Sequence, residues 1–355
     1  MNRSSKNTVS PKFKMRTLSL VLVSALRWCL AEATPWQCRP GSVDLNNIYP
    51  ELVSERNHTV DIGEGTDGQI FMSESSEQIA IKRFFSDTSS DQIHDEYWIG
   101  QSLSHPNIAK THSLTRHRND TDDNDDDDDG YWQMEMEFVQ FPLLDLLDHD
   151  VWAERAWSFS ATSCVFAQLV EAVAFMHESG IAHRDLKVEN VMVARNGVVK
   201  LIDFGSAAAS RSALAGTRLN STENWVGTPI TMAPEVHGER FFDMEKADVW
   251  SLGVILLRLS LGVYLWEPEG VLGALADNEA FRAFLAERED QTPDTKNGED
   301  VCTLCQLPQV ARDIVAGMLE VDPRKRLNLR TVVESQWFRD TAIAVSEGLA
   351  NPEHH

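Results

Sequence analysis

The stretch from Ile181 to Gly205 constrains this chain more than any other. It reads His183-Arg184-Asp185-Leu186-Lys187-Val188-Glu189-Asn190, then Val191-Met192-Val193, Arg195-Asn196-Gly197, Val198-Val199-Lys200-Leu201 and Ile202-Asp203-Phe204-Gly205. Two short apolar runs flanking Asn-Gly predict a β-hairpin. A hairpin brings its outer ends together, so Asp185 and Asn190 ahead of it fall beside Asp203 behind it. Two carboxylates and an amide at one rim form an oxygen-donor site for Mg²⁺ with a base beside it. Each residue alone would be an ordinary surface group; both clusters at this spacing are not a chance pattern.

Upstream, Val60-Asp61-Ile62 reads as a strand, Gly63-Glu64-Gly65-Thr66-Asp67-Gly68 as a turn, and Gln69-Ile70-Phe71-Met72 as a second strand. Glycines between two strands, not between strand and helix, disfavour a dinucleotide fold and describe a flap over phosphates. Gln78 to Arg83 alternates as a strand with Lys82 on the face of Ala80. Asp91 to Leu103 has helical character, carries Glu96, and stops at Ser104-His105-Pro106-Asn107-Ile108. Strands are expected near Ile108–Leu114 and Tyr131–Met136, on either side of an aspartate run.

Together these motifs resemble the eukaryotic serine/threonine protein kinase family over residues 57–338. Further along, Gly227-Thr228-Pro229 and Ala233-Pro234-Glu235 look like the end of an activation segment. Ala247-Asp248-Val249-Trp250-Ser251-Leu252-Gly253 looks like the central helix of the large lobe, and Asp322-Pro323-Arg324-Lys325-Arg326 like the motif whose Arg326 pairs with Glu235. Lys187, two residues after Asp185, resembles serine/threonine rather than tyrosine kinases. Glu96-Tyr97-Trp98-Ile99-Gly100 with the His105-Pro106-Asn107 segment is similar to fungal kinases that regulate transporters and permeases. The calmodulin-dependent and AMP-activated-like group also fits.

The resemblance implies an α+β, bilobal fold with a small β-rich lobe and a larger, mainly α lobe. It implies ATP and Mg²⁺. Lys82 would contact the α- and β-phosphates, with Glu96 holding it. Asp185 would orient the substrate hydroxyl and take its proton, and Lys187 would steady the γ-phosphate. Asn190 and Asp203 would hold the metal. Gly63, Gly65 and Gly68 would let the backbone approach the phosphates. Met136 would limit the rear pocket, the backbone of Glu137 and Val139 would meet adenine, and Ile62, Ile70, Ala80 and Met192 would sandwich it. Thr228 would position substrate, and Glu189 would favour Arg upstream of the acceptor, with Asp145 and Asp148, after the hinge, near where a second such acid usually sits. Arg184 would offer a fixed cation to a phosphate on the activation segment, at Thr217, Ser221 or Thr222, placed by an upstream kinase or by autophosphorylation. Asp248 and the Glu235–Arg326 pair would be structural.

Three positions depart from the family pattern. Val188 stands for a common Pro. Asp67 puts an acid at the flap tip, which should weaken ATP binding. Gly100 stands where a bulky apolar residue usually links the lobes, so a looser active state is expected. A kinase-like scaffold without catalysis is the competing reading, but it typically loses a residue equivalent to Lys82, Asp185 or Asp203, and all three are present.

Composition bears on partners and compartment. With 32 Lys+Arg against 55 Asp+Glu the net charge is −23, which excludes general nucleic-acid binding. Eight aspartates between Asp120 and Asp129 read as a disordered insertion at 119–129. Residues 1–56 read as an N-terminal extension, disordered outside the signal-like segment, and 339–355 as a C-terminal tail. A basic start, the apolar Leu18–Leu26 and Ala31-Glu32-Ala33 have the layout of a secretory signal over 15–33, interrupted by Arg27 and Trp28. The run is too short to span a bilayer. Sequons at Asn57, Asn119 and Asn220 fit export, but ATP and protein substrates place the expectation in the cytoplasm. Cys302 and Cys305, without other ligands nearby, read as plain thiols.

Overall fold

A computed structural model describes residues 45, 61–65, 67–73, 76–118, 130–152, 157–212, 216–221, 223, 225–238, 241–266, 273–275, 277–289 and 303–341. The signal-like segment, the aspartate run, the sequons at Asn57 and Asn119, Thr222, Cys302 and the side chain of Ile62 lie outside the described residues.

The first lobe is a five-stranded antiparallel sheet in the order β1-β2-β3-β5-β4. Its strands are β1 (Asp61–Glu64), β2 (Gly68–Ser73), β3 (Ser76–Phe84), β4 (Thr111–His117) and β5 (Tyr131–Glu137). β4 begins later than Ile108, because Ile108 instead bridges to Leu201 of the second lobe. One helix, α1 (Ser90–Ser102), packs on the sheet. Ser89 starts it with a capping box: its hydroxyl accepts from the Gln92 N–H while the Gln92 side chain accepts from the Ser89 N–H. Ile93, Glu96 and Gly100 are its buried residues, spaced along one face. Ile93 packs with Phe84 and Met134, so the apolar contact that fixes the helix rotation also aims Glu96 inward.

The second lobe is mainly helical, with short strand pairs set into it. Its helices are α2 (Leu143–Trp152), α3 (Phe159–Glu178), α4 (Met244–Leu261), α5 (Glu279–Glu289), α6 (Gln309–Met318) and α7 (Leu329–Val333). α3 is apolar and long enough to cross a membrane by composition, but its length is taken up in the core beside α4. α4 is buried on every side, which explains its lack of a polar face. The bilobal α+β architecture implied by the resemblance is the one observed.

Two features lock the lobes in register. β6 (Phe141–Pro142), β7 (Val191–Val193) and β8 (Val199–Leu201) form a three-stranded sheet containing the expected hairpin. The His105-Pro106-Asn107 turn then plugs into it. The Asn107 amide donates to Gln168 (3.0 Å) and to the Val199 carbonyl (2.9 Å), and His105 stacks on Phe175. Val188 is fully buried, so this departure is a packing exchange. Cys164 and Cys305 are both disulfide-bonded, so Cys305 is not the free thiol expected.

Candidate active site

β3 alternates, and Ala80, Lys82 and Phe84 are buried on its inner face. Lys82 therefore leaves the strand toward α1, where its ammonium donates to both oxygens of Glu96, at 2.6 and 2.8 Å. The Asp203 carboxylate lies 3.7 Å from the same ammonium. Burial would lower the Lys82 pKa, but Glu96 and Asp203 outweigh it and hold the amine above its ordinary range. Burial pushes Glu96 up to about 7 against the pull of Lys82, and the nearby Asp203 and Asp67 add to the rise.

The hairpin delivers the second cluster. Asp185 Oδ1 accepts from the Thr228 hydroxyl at 2.7 Å, and its Oδ2 from Lys187 at 2.8 Å. Lys187 also donates to Thr228 Oγ1, at 2.8 Å. The Asn190 amide donates to the Asp185 carbonyl at 2.9 Å. Arg184 and Asp203 both have positive φ, 67° and 64°, in non-glycine residues. Such strain persists only where neighbours over-determine it. For Arg184 the neighbour is Asp248, whose carboxylate accepts from the N–H groups of His183 (2.9 Å) and Arg184 (2.8 Å) and from the His177 ring (2.8 Å). Burial would raise the Asp248 pKa, yet the His177 bond and these donors keep it below the usual carboxylate range.

A cavity of about 370 Å³ joins the clusters. Gly63, Gly65, Ile70, Lys82, Glu96, Met136, Lys187, Glu189, Asn190, Met192 and Asp203 line it, as their expected grouping requires. Gly68, Ala80, Glu137, Val139, Asp185 and Thr228 do not; the last two are instead hydrogen-bonded to the lining residue Lys187, and Asp185 also to Asn190. Gly68 is pressed onto β3, where a Cβ would overlap the Arg83 carbonyl. Ala80 and Val139 are both buried. The Glu137 carboxylate is held by Lys200 at 2.9 Å and by the Lys110 N–H at 3.1 Å. The Val139 N–H has no hydrogen-bond partner among the described residues, so the hinge backbone retains a donor. Ala109, Thr111, Met134, Pro142, Ile202 and Phe204 complete the wall and were not anticipated. Of these, Ile202 and Phe204, on either side of Asp203, carried a local signal.

Three expectations need correction. Gly100 does not leave a gap: a Cβ there would collide with the Thr111 hydroxyl and lie 3.3 Å from Phe204. Asp148 is engaged by Arg258 at 2.8 Å, which makes it a poor second acid for a substrate Arg. Arg184 does not wait for a phosphate. Its guanidinium donates to the Ser206 carbonyl (2.5 Å) and to Glu223 (2.8 Å). Ser221 pins that glutamate, its hydroxyl accepting from the Glu223 N–H and donating to the Glu223 carbonyl, both at 3.1 Å.

Away from the cleft, Arg326 and Glu235 form the expected pair, with contacts of 2.5 and 2.8 Å and almost no exposure.

Residues 56–338 match the protein kinase domain family. Similar curated proteins include the probable serine/threonine-protein kinase RTK1 of Saccharomyces cerevisiae, 28% identical over 79% of this chain and 42% of that protein. The nitrogen permease reactivator protein of the same yeast is 25% identical over 83% of this chain and 41% of that protein. CBL-interacting protein kinase 1 of Oryza sativa subsp. japonica is 29% identical over 70% and 46%. The chain spans less than half the length of these relatives.

Proposed function

The chain belongs to the protein kinase family, and from that premise we propose that it transfers the γ-phosphoryl group of ATP to Ser and Thr hydroxyls of protein substrates. The observation that carries this reading is the convergence of Lys82, Glu96, Asp203, Lys187 and Asn190 on one cavity, with Asp185 hydrogen-bonded to both Lys187 and Asn190.

Phosphoryl transfer needs alignment and charge neutralisation more than covalent chemistry. Lys82, held by Glu96, binds the α- and β-phosphates. Asp185 orients the acceptor hydroxyl and accepts its proton, and Lys187, beside it, offsets charge on the γ-phosphate. Thr228, bonded to both, fixes the loop against which the substrate lies. Asn190 and Asp203 would hold Mg²⁺, which supplies neutralisation of phosphate oxygens. The donor set suits a hard cation: the Asn190 amide nitrogen is committed to Asp185, leaving its oxygen as the ligand atom, and Asp203 offers carboxylate oxygens. Adenine would lie between Ile70 and Met192, near Met136, against the hinge backbone at Glu137 and Val139.

For substrate choice, Glu189 is the acid to weigh. It is exposed at the cleft rim, without an ion pair or hydrogen bond among the described residues. A carboxylate there favours Arg two or three residues upstream of the acceptor. Peptide arrays would show this preference weakened in Glu189→Gln. An upstream kinase or autophosphorylation would act on the activation segment at Thr217, which is exposed, more readily than at the buried Ser221.

Incubation with γ-labelled ATP, Mg²⁺ and mixed protein substrates tests the reading. Label on Ser and Thr supports it; binding of ATP with no label transferred favours a scaffold. The cytoplasm is the proposed compartment, with one competing observation. Disulfides at Cys164 and Cys305 favour an oxidising compartment. An N-terminal mass from native cells decides, since cleavage after Ala33 would establish export.

A further inference from the structure

The phosphate end of the cleft holds one more carboxylate than the roles above use. Asp67 sits at the tip of the glycine flap, and its position there is fixed by its backbone. The Asp67 carbonyl accepts from the Phe85 N–H at 2.9 Å and from the Thr88 hydroxyl at 3.1 Å. Gly68, next in the chain, lies flat against β3. The backbone at Asp67 is therefore tied to the segment that follows β3.

Its side chain points at the reacting end. A Cβ placed on Gly205 would lie 3.2 Å from Asp67 Oδ2, 3.2 Å from Glu96 Oε2 and 3.4 Å from Asp203 Oδ1. Three carboxylates thus surround one spot, and the Lys82 ammonium is the buried cation among them. The field of Asp67 is felt by Lys82 and Glu96, whose pKa values it helps to raise.

We propose that Asp67 is a resident anion in the phosphate subsite, a positioning residue that opposes the polyphosphate tail and makes nucleotide affinity fall as phosphate charge rises. This rests on the nucleotide reading of the cleft. Lys82 can favour a bound phosphate only with the charge left over after its acidic neighbours, and Asp67 takes a share of it. The base end, at Ile70, Met136 and Met192, lies away from this contest. Removing the charge should leave adenosine untouched and help ligands in proportion to their phosphates.

Calorimetric titration of the full chain with adenosine, ADP and ATP, without divalent metal and at low salt, tests this. Asp67→Asn should bind adenosine as the unaltered protein does, ADP more tightly, and ATP more tightly still, by roughly threefold to tenfold. The gain should shrink with added salt, and Asp67→Glu should restore the original order. Asp67→Ala is a second variant, because the tie to Phe85 and Thr88 uses the backbone and survives a side-chain change. Equal shifts for all three ligands, or weaker ATP binding in Asp67→Asn, would overturn the proposal while leaving the cleft a nucleotide site. Failure of the unaltered chain to bind any of the three would overturn both.

Discussion

Lys82–Glu96 and Arg326–Glu235 are both buried, two-pronged pairs of a cation with a carboxylate. Their surroundings differ. Arg326 also donates to the carbonyls of Glu320, Lys246 and Val321, and its guanidinium lies 5.0 Å over the ring of Trp250. It has no open side. Lys82 faces a cavity and has Asp203 and Asp67 as further acidic neighbours. A pair whose donors are all spent on protein joins elements together. A pair left with surplus charge beside a cavity is organised to meet a ligand.

The sharpest way to break this contrast is to truncate the enclosed pair. Arg326→Met should leave Glu235 buried and uncompensated, costing about 3–5 kcal/mol of stability by denaturant titration. Adding Glu235→Leu should restore much of it, because the orphaned charge goes too. In the cleft the expected result is reversed. Lys82→Met should lower turnover by at least ~100-fold, about 2.7 kcal/mol, with a smaller loss of stability than Arg326→Met, because Glu96 lines the cavity and can take up a proton once its partner is gone. Loss of fold in Lys82→Met, or loss of activity without loss of stability in Arg326→Met, would dissolve the distinction.

Smaller effects refine it. Gly100→Leu should destabilise the small lobe by about 1–3 kcal/mol through overpacking against Thr111 and Phe204, measured by thermal unfolding; a stabilised, more active variant would show an unfilled gap instead. The Glu96 pKa of about 7 adds a pH signature. Lys82 is held by ionised Glu96, so kcat/KM should rise with pH through about 7. Stability should move the other way: a carboxyl raised from 4.5 contributes stability present below 4.5 and lost as pH rises through about 7. Asp67→Asn should shift the kinetic midpoint downward. Smallest is Glu223→Ala, which should lower activity by roughly twofold to fivefold, since an exposed carboxylate holds Arg184 only weakly. Phosphatase treatment of the unaltered chain should change little.

Short motifs made the reacting residues legible. Asp185, Asn190 and Asp203 flank a hairpin whose turn is written locally, and Lys82 sits on an alternating strand. Contacts that cross the fold were not. Arg184 and Glu223 are separated by most of the activation segment, and nothing near either residue announces the other. The direction of Asp67 depends on how Gly68 docks against Phe84, which is a register property. Gly100 was misread because its partner, Thr111, arrives from another strand. Ala109, Thr111 and Pro142 were missed as cavity walls for the same reason: nothing in their own neighbourhoods marks them, and only the packed lobes do.

Asp185→Asn tests the central claim most directly, because it removes the proton acceptor while keeping shape and ATP contacts. The measurement is transfer of labelled γ-phosphate to protein at saturating ATP, with ATP affinity taken on the same preparation. The account predicts affinity within about twofold of the unaltered protein and transfer reduced by at least ~100-fold. Transfer at an unaltered rate, with the label on Ser and Thr as before, would contradict it.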